Sequence, residues 1–108
     1  MRDDKLDAMT EVALAALSDP DTGPARALVR DLALGWPQAP ALAICFALTT
    51  AASRVEDEFV SKTASRGFRL AAMVAADCFA LEAMGRTPAT CEDLLLFWRR
   101  VDPYFLEL

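Results

Sequence analysis

A chain of 108 residues, 55% of them apolar, has material for one domain, 1-108, and for a core that needs no metal or disulfide. Its net charge of −5 surrounds it with a negative field, which disfavours nucleic acid and anionic membrane as main partners. Histidine is absent, and with it the commonest general base and metal ligand near neutral pH.

The first predicted element runs from about Asp3 to Ser18. Leu6, Met9, Ala13, Ala16 and Leu17 recur at spacings of three and four, one apolar face of a helix. Asp3, Asp4 and Asp7 lie near its start, where carboxylates suit the helix dipole. The run Ser18-Asp19-Pro20-Asp21-Thr22-Gly23-Pro24 is the strongest breaker in the chain, and it predicts a loop with Pro24 at the first position of the next helix. That second helix covers Pro24 to Gly35, with Leu28 and Leu32 on its buried side.

Gly35-Trp36-Pro37 stops it, and Pro40 opens a third helix that reaches about Ala52. Nearly every position there is apolar or small, without the alternation of a half-buried strand, so the segment is expected to be a central helix buried on most sides. The charged stretch Ser53 to Phe59 predicts a solvated junction, because a helix unbroken from 40 to 84 would be unusually long for a compact domain.

A fourth helix follows from about Asp57 to Met84, with Phe59, Thr63, Leu70, Val74 and Leu81 on one face. Gly67 within it marks a kink or a close crossing. Gly85-Arg86-Thr87-Pro88 is a stop. Thr90 and Asp93 have the spacing of a capping box for the last helix, whose packing falls to Leu94, Leu95, Phe97, Trp98 and Val101. The tail Tyr104-Phe105-Leu106-Glu107-Leu108 is too apolar for a free end and is expected to dock on the body or on a partner. The expected fold class is therefore all-α, a small irregular bundle of about five helices around a central buried helix pair.

Little in this chain announces chemistry. Glycines stand singly at 23, 35, 67 and 85, so no phosphate-binding loop is formed, and no nucleophile or calcium motif is present. The three cysteines, Cys45, Cys78 and Cys91, are widely spaced and fit reduced, mostly buried thiols in cytoplasm better than a zinc site or a disulfide framework. No apolar signal core follows the amino end, and the weakly polar stretch 39–52 is too short to span a membrane. Glu56, Asp57 and Glu58 are adjacent, so they diverge on a helix and are expected to be solvated.

Asp77 is the sharper feature, a lone carboxylate within an alanine-rich apolar run. At 100° per residue it falls close to the line of Arg66, Arg69 and Met73. Three readings stay open: a solvent-facing residue, an ion pair with Arg30 or Arg54, or a ligand site in which Arg66, Arg69 and Asp77 hold an anion. At the carboxyl end Trp98, Tyr104, Phe105 and Leu106 form a candidate interface.

Much of the apolar excess is alanine, which favours helix but buries little surface per residue. A domain built this way is expected to complete its core on a partner. The expectation is a non-enzymatic interaction or regulatory module, cytoplasmic and self-associating, with a further protein partner allowed and no nucleic acid, membrane or cofactor. The alternative is a protein that binds a small anion, or an enzyme subunit whose site is completed across a dimer.

Overall fold

A computed structural model of the chain describes residues 4–58 and 62–107, which form five α-helices and a closing 3-10 turn. The helices are α1 (Asp4–Ser18), α2 (Thr22–Gly35), α3 (Leu42–Glu58), α4 (Lys62–Ala83) and α5 (Cys91–Arg100), and the turn is Tyr104–Leu106. The all-α bundle expected from periodicity is what forms, and α3 and α4 are its central pair. The shortest dimension, 20 Å, is about the depth of two packed helices.

Helix α1 buries Met9, Ala13 and Leu17 through the predicted stripe. Thr10 is buried beside them without an unmet polar group, because its hydroxyl donates to the Leu6 carbonyl at 2.7 Å. Helix α2 begins at Thr22, two residues before the expected start. Asp21 is its cap and accepts from the Gly23 amide, which leaves Pro24 inside the first turn, where a missing amide hydrogen costs nothing.

The third helix departs from expectation at both ends. Its start moves from Pro40 to Leu42, because residues 37–41 are engaged elsewhere. The Ala41 amide donates to the Ala89 carbonyl, the Cys91 amide to Ala39 and the Glu92 amide to Pro37. Pro40 and Thr90 form an isolated bridge, and Gln38 donates to the Glu92 carboxylate, completing a clasp between the two connections. The Thr87–Pro88 peptide within the second connection is cis.

At its far end α3 runs through the charged stretch to Glu58, where a junction was expected. Val55 is buried and extends the stripe of Ile44, Leu48 and Ala51 by one more turn. Arg54 pairs with Glu11 of α1 at 3.2 Å, so the helix continues through Arg54 and ends only at Glu58. Accordingly α4 begins at Lys62, later than Asp57. Phe59, placed by periodicity on its apolar face, lies outside the described residues.

Gly67 marks a close crossing. A β-carbon there would stand 2.8 Å from the Ala52 β-carbon and 3.0 Å from a Leu17 methyl, so α1, α3 and α4 meet at a point with no room for a side chain. Gly85, at φ 89°, supplies the left-handed residue after α4. Both halves of the capping box at α5 are formed by Thr90 and Asp93, and Arg99 and Arg100 occupy its last turn, matching the dipole at that end. Val101, expected to pack, is 59% exposed.

Candidate functional site

Asp77 meets neither Arg30 nor Arg54. Arg30 pairs with its neighbour Asp31 at 3.5 Å, and Arg54 is held by Glu11. Asp77 instead accepts a hydrogen bond of 2.9 Å from the indole nitrogen of Trp98, so α4 and α5 are joined by a polar link at the edge of the core. Burial pushes its pKa above the ordinary carboxylate value. The indole hydrogen bond acts against that rise, and Asp102 adds to it.

Trp98 is fully buried and stacks obliquely on Phe105, with ring centroids 5.1 Å apart. Phe105 is 2% exposed and meets Tyr104 edge to face at 5.2 Å. Of the four carboxyl-end residues read as an interface, Trp98 and Phe105 thus face inward, Leu106 is half-buried against the core, and Tyr104 keeps 45% of its surface open. The tail docks on its own chain.

Arg66 and Arg69 do share a concave surface. They line a cleft of about 210 Å³ with Arg26 from α2, over Leu70 and Met73, with Tyr104 at its edge. Asp77 is not among the lining residues. Arg26 is far from the other two in sequence, and no pattern along the chain joins it to them. Only the packing of α2 and the terminal turn beside α4 does so.

The cysteines also converge, which their spacing does not suggest. Cys78 of α4 meets Cys45 of α3, and Cys91 lies close enough to interact electrostatically with both. The contact with Cys78 holds the Cys45 pKa below its ordinary value, while the same contact and then burial raise that of Cys78. Burial also pushes Cys91 up to about 11. Cys45 additionally donates to the Ala71 carbonyl at 3.5 Å. All three thiols are free, and among the described residues no cluster of histidine, cysteine and carboxylate is placed to hold a metal.

The remaining feature is a surface. On α3, Leu42, Phe46, Thr49 and Ser53 share the side away from the core; on α4, Phe68, Ala72, Ala75 and Phe79 do the same. Cys45 and Cys78, in contact across the pair, fix how the two helices face each other, and the two stripes then fall on one side of it. None of the eight is charged. Leu42 is 62% exposed, Phe46 49% and Phe79 74%. Leu42 also walls two clefts, one of about 290 Å³ shared with Leu6 and Phe46, the other of about 280 Å³ shared with Cys78 and Glu82. No helix among the described residues is long and apolar enough to cross a membrane. Comparison with protein-family models, with curated proteins and with solved structures finds no match for this chain.

Proposed function

We propose that this protein is a non-enzymatic interaction module that self-associates through the outer face of the α3–α4 pair. The observation that carries the reading is the exposure of Leu42, Phe46 and Phe79 on one side of the α3–α4 pair, along stripes without a charged residue. Taking apolar surface out of water stabilises a contact in proportion to the area removed, so covering the exposed parts of these three favours association. The face suits a second copy of the chain in particular. Two copies of a protein with net charge −5 repel, and a contact centred on uncharged stripes, with Lys5, Glu82 and Arg86 in the walls of the adjoining hollows, keeps that cost low.

The surface also holds both halves of a fit. Phe79 protrudes, and Leu42 stands between two hollows, so a twofold axis can set each protrusion against the partner's recess. Three free thiols support a cytoplasmic setting for such a module.

Light scattering coupled to size exclusion, across a range of protein concentrations, tests the reading. The wild type is expected to be a dimer, and Phe79→Glu and Phe46→Glu are expected to be monomers with unchanged helical circular dichroism. A wild type that stays monomeric at every concentration removes self-association. A dimer that survives both substitutions moves it to another surface.

A further inference from the structure

On the flank of α4 turned away from α3, we propose a binding site for a small phosphomonoester, held by Arg26, Arg66 and Arg69. Arg69 lies half a turn around α4 from Cys78, which faces α3, so this site and the self-association surface occupy different sides of the helix. The inference does not depend on how many copies assemble.

Charge makes the first argument. The chain holds 16 carboxylate residues against 11 basic ones, and Arg30 and Arg54 each take one of those carboxylates. Among the described residues, Arg26, Arg66 and Arg69 form no ion pair and no carboxylate lines their cleft. Three guanidiniums around one hollow repel each other, and an anion between them reverses the sign of that interaction. A protein this rich in acid has ample means of neutralising them internally, and none of its described carboxylates does so.

Geometry makes the second argument and selects the ligand class. One guanidinium fork satisfies a carboxylate, whereas three forks from two helices suit a tetrahedral oxyanion with more acceptor positions and up to two negative charges. The hollow, about 210 Å³, is larger than such a group alone requires. Its floor is apolar, from Leu70 and Met73, and Tyr104 offers a ring at the edge. The non-polar part of a small organic phosphate fits against those three, and an aromatic body fits best.

The test is a nuclear magnetic resonance titration at constant ionic strength that follows the arginine side-chain N–H signals. Phenyl phosphate is the principal probe, with inorganic phosphate, benzoate and chloride beside it. Saturable shifts at Arg26, Arg66 and Arg69 are expected with phenyl phosphate, weaker ones with inorganic phosphate, and none that saturate with chloride. Arg66→Gln and Arg69→Gln should each weaken phenyl phosphate by about tenfold or more, since each removes charge-assisted hydrogen bonds, while Arg54→Gln on α3 leaves binding unchanged. Benzoate binding as tightly as phenyl phosphate overturns the phosphate assignment. Chloride matching the phosphates, or both arginine variants binding as wild type does, overturns the site.

Discussion

The aromatic residues of this protein have two contrasting fates. At the carboxyl end, Trp98 and Phe105 close on each other, and the one polar atom of the indole finds Asp77. On the outer side of the central pair, Phe46 and Phe79 stand in the open on helices just as well formed. The chain end looks the more adhesive of the two regions when read as a string, and it is the one already satisfied. An aromatic residue becomes available to a partner only when the fold supplies nothing to cover it.

The strongest way to break this contrast is to truncate one member of each set. Trp98→Ala should cost about 3–5 kcal/mol in urea unfolding, as removal of a large buried ring does. Phe79→Glu should leave monomer stability within about 0.5 kcal/mol of wild type, as surface changes usually do. Equal effects would mean that the two regions do not differ as described.

A smaller effect isolates the polar link. Asp77→Ala leaves the indole N–H without its acceptor and should cost about 1–3 kcal/mol, whereas Asp77→Asn keeps an acceptor oxygen and should cost less. Acidity sharpens the same point. Because folding raises the Asp77 pKa, the folded state holds its proton more tightly than the unfolded chain does. Stability from this residue is therefore fully present at pH values below the ordinary carboxylate value, and it falls as pH rises through the raised one. Asp77→Asn should flatten that part of the stability profile, and a profile identical to wild type would show that the group does not titrate as its burial implies.

The smallest change concerns the crossing of the central pair. Gly67→Ala gains about 1 kcal/mol of helix propensity and meets an overpacking cost of about 1–3 kcal/mol, so a modest net loss is expected. A gain in thermal stability instead would mean that α3 and α4 can separate at Ala52 without penalty.

Much of this architecture is legible along the chain. Local chemistry decides the stops at Gly35 and Gly85, the apolar stripes of α1 and α2 and the capping box of Thr90 and Asp93, and local chemistry is what a single sequence displays. The end of α3 is not legible in that way, because the burial of Val55 outweighs the charges around it and depends on α3's neighbours. Pro40 misleads for a similar reason, its partner Thr90 lying far along the chain. At the arginine cleft, the shared face of Arg66 and Arg69 follows from helical spacing, while Arg26 joins them only through packing of α2. Asp77 stands out by its setting, yet nothing local names Trp98 as its partner.

The clasp between residues 37–41 and 89–92 gives the chain an order of assembly. Its side-chain contacts join positions as far apart as Gln38 and Glu92, 54 residues, and everything in the central pair lies inside the loop it closes. Topologically α3 and α4 are an insertion whose two ends meet, and α5 completes a unit begun by α2. A chain emerging from its amino end has α1 to α4 in hand before the second half of the clasp exists. Residues 89–92, made after the central pair, then act as a fastener, shutting a loop whose closure entropy grows only slowly with its length.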